Sequence, residues 1–208
     1  SIKSFIKMVL IIVLITSLVS ILAFSNHRLV EELSLKPVLV YHHFHIHRIF
    51  THSLIHADWV HLIVNMYVLY IFGEVCMNNF TLYFGAKAGL YFLELYLFSL
   101  VFSSIFSIFK NKNNPYYSAV GASGAVTAIV FTSIFFDPWN KLWFFGIVPV
   151  PGIVFGVLYL AYSMYMGKKN TDNIGHDAHF FGALFGFIFP IIINYQLISQ
   201  FIDKLLLR

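Results

Sequence analysis

His56-Ala57-Asp58-Trp59-Val60-His61-Leu62-Ile63-Val64-Asn65 opens an apolar run that continues to Met77. Counted from about residue 54, the run has the roughly 20 mostly apolar residues that a membrane-spanning helix needs. Its polar residues gather at its start. His61 and Asn65 are four apart, so a helix puts them on one face. Polar groups in a lipid-embedded segment are the functional candidates, because hydrocarbon offers them no partners.

Five further runs resemble the first. The expected helices cover about residues 5–24, 54–77, 82–109, 119–136, 142–166 and 177–198, with a long first loop over 26–51. The first run is too long for the core of a signal peptide, and no small-residue cleavage site follows it. Composition agrees: 59 % of the chain is apolar and 11 % charged, against about 45–50 % and 25 % in soluble proteins. A soluble domain could not hide that much apolar surface, and a disordered chain would not contain it. Thirteen Lys and Arg against nine Asp and Glu give +4. They fall singly or in pairs and form no basic stripe, so no nucleic-acid partner is expected. Cys76 stands alone and cannot form an internal disulfide. The long runs lack the alternation of a barrel strand. The expected fold is an all-α membrane protein, one domain over residues 1–208, with six transmembrane helices and the lipid bilayer as its surroundings.

Parity then relates distant residues. The second, fourth and sixth helices enter the membrane from the same side. Each carries a polar cluster near its start: His61 and Asn65, Gly121-Ala122-Ser123-Gly124, and Ala178-His179-Phe180-Phe181-Gly182 with Gly186 beyond. At 1.5 Å per residue, His61, Ser123 and His179 all lie roughly 5–12 Å below one face. Ser123 is a nucleophile if a base takes its proton, and His179 is the natural base. Gly121 and Gly124 allow close approach to Ser123. Gly182 and Gly186 form a small-residue stripe that lets the sixth helix pack tightly on the fourth. His61, Asn65 and the Ser123 amide could donate to a developing oxyanion.

The stretches His56-Ala57-x-x-x-His61-x-x-x-Asn65, Gly121-x-Ser123-Gly124 and Ala178-His179-x-x-Gly182-x-x-x-Gly186 resemble the three signatures of the rhomboid family of intramembrane serine proteases. Order, spacing and helix assignment match over nearly the whole chain, in the six-helix core form. Arg48 resembles the arginine of the family's first-loop motif, although His47 replaces the usual aromatic before it. The resemblance implies a Ser123–His179 dyad and an oxyanion site from His61, Asn65 and the Ser123 amide. It implies no metal or organic cofactor. It further implies cleavage of transmembrane protein substrates near the extracytoplasmic face of a bacterial inner membrane, with loops one, three and five outside. The positive-inside rule slightly favours the reverse orientation, since Arg28, Lys36, Arg48, Lys110, Lys112, Lys168 and Lys169 share that side. Some members stack a tyrosine, four residues after the serine, on the histidine. Thr127 stands here, so another side chain, such as a nearby Phe, is expected to support His179.

Several residues carry two readings. His56 contributes to the site or serves as scaffold. Asp58 and Asp177 invite a triad, but acidic residues at helix starts favour the positive dipole end, so a dyad without a third acid is expected. His43, His45 and His47 could chelate a metal if extended, yet an amphipathic loop at the headgroup level explains them better. Lys87 is expected to snorkel to the interface, and Glu94 to bond to neighbouring elements. Pro149, Pro151, Gly152 and Gly156 loosen the start of the fifth helix, which the family suggests is a substrate gate. The alternative function is a catalytically inactive rhomboid-like protein that binds transmembrane clients.

Overall fold

The computed structural model describes residues 2–144, 147–169 and 175–206. Residues 170–173 of the expected fifth connection, residues 145–146 within the expected fifth run, and Arg208 lie outside the described residues. In chain order the helices are α1 (Ile2–Phe24), α2 (His27–Leu33), α3 (Pro37–His43), α4 (Arg48–Thr51), α5 (Trp59–Phe84), α6 (Ala88–Asn111), α7 (Ser123–Phe136), α8 (Gly152–Lys169), α9 (His176–Ile193) and α10 (Leu197–Leu206). One antiparallel hairpin interrupts them, pairing β1 (Lys141–Phe144) with β2 (Val148–Pro151). Among the described residues, two stretches, Trp59–Asn111 and His176–Ile193, have the length and hydropathy of membrane spans. The first contains both α5 and α6, parted at Gly85, whose φ of 56° ends α5.

The long helices fall on the six apolar runs, with altered ends. The second run reads as stopping at Met77 because Asn78, Asn79 and Thr81 follow. The Asn79 and Thr81 side chains instead donate to the Val75 and Met77 carbonyls, and α5 continues to Phe84. The run at 142–166 begins as the hairpin, because Pro149 and Pro151 lack an N–H and bar helical geometry for the residues before them. The helix starts only at Gly152. The run at 177–198 divides at Asn194, and the separate α10 follows.

α7 is the centre of the bundle. It is buried on all sides from Gly124 to Phe136 and packs against α5, α6, α8 and α9, as a helix apolar all round must. α1 lies outside α5. A core of Leu69, Phe80, Phe92, Leu95, Ile129 and Phe135 fills the space between the helices.

α9 approaches α7 most closely through the predicted glycine stripe. A Cβ at Gly182 would overlap the Gly124 carbonyl oxygen, and one at Gly186 would overlap Ala128. Pro190 lies inside α9 and cannot donate to the Gly186 carbonyl four residues back. Thr132 of α7 supplies that bond instead, at 2.7 Å. At the far end, Lys204 of α10 donates to the Phe136 carbonyl at 2.7 Å, against the negative end of α7. Phe201 stacks on Phe135 at 5.2 Å.

Candidate active site

Main-chain bonds from the first loop set the start of α7. Leu35 and Ala119 exchange N–H···O bonds of 2.9 and 3.0 Å, and the Gly121 N–H donates to the His52 carbonyl at 2.9 Å. The loop is itself tied down. Buried Arg48 donates from Nη1 to the Glu31 and Ser34 carbonyls, both at 2.8 Å, and Thr51 donates to the Leu33 carbonyl. These carbonyls close the end of α2, where intrahelical donors have run out. Gly121 turns the chain into α7 with φ 111°. A side chain there would also meet His61, whose Cε1 would lie 2.7 Å from a Cβ. Half-buried Ser123 is therefore the first residue of α7, and its amide is among the N–H groups left open at the helix's positive end.

α5 brings the second group. Asp58 caps it by accepting the His61 N–H at 2.8 Å, the capping role expected of it. The Ala57 N–H approaches His61 Nδ1 at 3.5 Å, and Nε2 lies on the side facing Gly121. Asn65 donates one amide hydrogen to the His61 carbonyl at 2.8 Å; its amide has a second hydrogen. His56 sits behind His61, with ring centroids 4.9 Å apart. Its Nδ1 lies 2.9 Å from Ser20 Oγ, which donates onward to the Leu54 carbonyl, and the Ala122 N–H approaches its Nε2 at 3.5 Å. Both nitrogens are thus engaged, and His56 ties α1 to the start of α7.

α9 brings the third. Gly124 lies against Ala178, whose carbonyl would be 3.6 Å from a Cβ. The first turns of α7 and α9 therefore face each other, one residue from Ser123 and from His179. Asp177 pairs with Lys110 at 2.7 Å, so its carboxylate is engaged with α6. A cleft of about 1220 Å³ is lined by Ser123, His179, His61, Asn65, Gly121 and Gly124 together. His56, Arg48, Gly182 and Gly186 are not among its lining residues.

The side chain stacked on His179 in place of one at Thr127 is a tyrosine from another helix. Tyr159 of α8 stacks on the imidazole at 6.2 Å and 29°, and its hydroxyl lies 3.3 Å from Thr127 Oγ1. Sequence reasoning missed Tyr159, because only the packing of α8 on α7 brings it there. It missed His176 too, which is buried, lines the cleft and meets His179 edge-on at 6.1 Å. Its spacing, three residues before His179 on one helix face, was the available signal. The rings of His43, His45 and His47 follow one another at 6.3 and 5.7 Å. Lys87 is exposed in the turn before α6, and Glu94 is half-buried on it.

Residues 43–196 match the family model described as the Rhomboid domain. The chain is 28 % identical to "RHOMBOID-like protein 12, mitochondrial" of Arabidopsis thaliana over 153 residues, 66 % of this chain and 44 % of that protein. It is 29 % identical to "Rhomboid-like protein 11, chloroplastic" of the same plant over 74 % of this chain and 55 % of that one. It is 32 % identical to "Presenilin-associated rhomboid-like protein A, mitochondrial" of Danio rerio, over 64 % and 34 %. The chain thus spans about a third to a half of the length of these curated relatives. With more than half its length matched by the family model, this chain belongs to the membrane-embedded rhomboid family of intramembrane serine proteases.

Proposed function

We propose that the chain is a serine endopeptidase that cuts transmembrane helices near the extracytoplasmic face, in the six-span form, through a Ser123–His179 dyad. The observation that carries this reading is the single cleft shared by Ser123, His179, His61 and Asn65 at the positive end of α7. The depth is consistent. α7 has 14 residues, or about 21 Å, against a hydrocarbon core of about 30 Å. With Asp137-Pro138 at one interface, Ser123 lies roughly 9 Å below the other.

Ser123 Oγ attacks the scissile carbonyl while His179 takes its proton, and His179 returns that proton to the leaving amine. Water then hydrolyses the acyl-enzyme with the same residue as base. The His61 Nε2–H, the second Asn65 amide hydrogen and the Ser123 N–H stabilise the oxyanion. Neither step calls for a metal or a cofactor. Substrate enters between α5 and α8, whose Val60, Val64 and Val68 on one helix and Phe155, Tyr159 and Met166 on the other all line the cleft. The membrane proposed is a bacterial inner membrane. The relatives named above carry mitochondrial and chloroplastic names.

The test is labelling by a serine-directed fluorophosphonate in detergent. The parent should label, and Ser123→Ala and His179→Ala should not. The other reading, an inactive rhomboid-like binder of transmembrane clients, draws on relatives whose names say only "rhomboid-like". It requires parent and Ser123→Ala to label equally.

A further inference from the structure

The helix that would admit substrate is also the helix that braces the proposed base. Tyr159 stacks on His179 with an offset, ring centroids 6.2 Å apart and 29° from parallel, and its hydroxyl reaches Thr127 of α7. One turn on, Tyr162 meets His176 edge-on at 5.5 Å, and His176 in turn meets His179. Two tyrosines of α8 thus hold two histidines of α9. Thr127, in the first turns of the same helix as Ser123, fixes the tilt of the first tyrosine.

The start of α8 is bonded to the turn before β1, and its far end meets α9, where a Cβ at Gly167 would lie 2.6 Å from Asp177 Oδ1. The Gly152 N–H donates to the Asn140 carbonyl at 2.9 Å and the Ile153 N–H to the Pro138 carbonyl at 2.7 Å. A Cβ at Gly152 would come within 3.2 Å of Ile134. Beyond that point α8 buries little, with Gly156 and Ser163 its other buried residues among those described. With most of its length half-buried or exposed, and a flexible Asp177 side chain at its far end, α8 can tilt about its bonded start. Tyr159 is seven residues from Gly152, about 10 Å along the axis. An outward swing of about 10° therefore carries Tyr159 about 2 Å from its place. That parts its hydroxyl from Thr127 and takes its ring off His179.

We infer that Tyr159 is a positioning residue that couples the lateral opening to the dyad, so that His179 is braced only while α8 is closed. The inference rests on the protease reading above. Admission of a helix between α5 and α8 withdraws the brace. Acylation follows only after α8 has closed again over the unwound segment, so opening and bond cleavage are successive states of one helix. A small probe entering the cleft from its polar side needs no such swing.

The experiment compares fluorophosphonate labelling of Ser123 with kcat and KM on a transmembrane substrate. The proteins are the parent, Tyr159→Ala, Tyr159→Phe, Thr127→Val, and a parent cross-linked between cysteines introduced on α5 and α8. Tyr159→Ala should label about tenfold more slowly and lose kcat about tenfold, with KM within twofold. Tyr159→Phe, which keeps the ring, should recover to within threefold of the parent. Thr127→Val, which keeps volume and removes the anchor, should label about threefold more slowly. The cross-linked protein should label at the parent rate and leave the transmembrane substrate uncut. Parent-like labelling by Tyr159→Ala, or Tyr159→Phe as slow as Tyr159→Ala, overturns the brace while leaving the protease reading intact. Tenfold slower labelling of the cross-linked protein overturns the requirement for closure. A parent that does not label at Ser123 overturns the protease reading and this inference together.

Discussion

Gly182→Ala tests how finely the contact between α7 and α9 sets the site. The added methyl would overlap the Gly124 carbonyl oxygen and lie 3.0 Å from its carbon and 3.2 Å from its Cα. These are backbone atoms of a helix buried on every side, and they cannot rotate away. Ordinary contact begins at 3.4 Å, so the two helices must part by roughly 1 Å at this level. Overpacking of this kind costs about 1–3 kcal/mol. Gly182 is three residues from His179 and Gly124 is next to Ser123, so the displacement falls between the two dyad members. A misplacement of about 1 Å in reacting groups costs on the order of 100-fold in rate. The expected result is a lowered Tm and labelling of Ser123 slowed about 100-fold at temperatures where the variant remains folded. Gly156→Ala is the control, because its methyl would meet only side chains at ordinary contact distance, the Phe131 ring at 3.4 Å and Ile134 Cδ1 at 3.6 Å; it should label like the parent. Gly182→Ala labelling at the parent rate would refute the reasoning, since the helices could then part without moving the dyad.

Four further outcomes can be checked. Thr132→Val strands the Gly186 carbonyl that Pro190 cannot serve, and should lower stability by about 1–3 kcal/mol; an unchanged Tm refutes the substitution of one donor for the other. Arg48→Leu removes both bonds to the end of α2 and should destabilise by about 2–4 kcal/mol, with parent-like labelling below its Tm. Asp58→Ala should cost about 1 kcal/mol as a lost cap and slow labelling less than about threefold; a loss of 100-fold would make Asp58 a third member of the site. Buried His52 has its pKa pushed down to about 4, chiefly by desolvation and against its bond to the Arg48 carbonyl, whereas in the unfolded chain it titrates near about 6.5. The unfolded state therefore holds more protons between these values. Stability is full above pH 6.5 and falls by on the order of 3 kcal/mol as pH drops to 4. His52→Asn should make the Tm–pH curve shallower over that window, and a parent curve already flat there contradicts the assignment.

The polar clusters were legible because lipid leaves few reasons for His61, Asn65, Ser123 or His179 to stand in an apolar run. The Gly182 and Gly186 stripe was legible for a related reason, since it signals close approach and α7 supplies the partner. What sequence alone hid is tertiary. Tyr159 looks like any aromatic of an apolar helix until α8 lies against α7. Thr132 reads as an ordinary helical threonine until Pro190 leaves a carbonyl open beside it. The first loop gave a string of histidines and aromatics without a clear period, and the helical pieces α2 to α4 form there through tertiary bonds such as those of Arg48. The expected sixth run took in only Leu197 and Ile198 of α10, because their apolar side chains continue the pattern past Asn194, where an extended backbone at φ −148° ends α9.

The bonds between Leu35 and Ala119 and between His52 and Gly121 join main chain to main chain. No side-chain replacement deletes such a bond, except proline at a donor position. The start of α7 is thus fastened by the path of the first loop more than by its composition. The loop can drift in sequence, trading its histidines and aromatics for other residues, and still hold Ser123 in register. Insertions and deletions between Leu35 and His52 are a different matter, because they shift both fastenings against each other. Change in this loop should therefore be plentiful in kind and sparse in length.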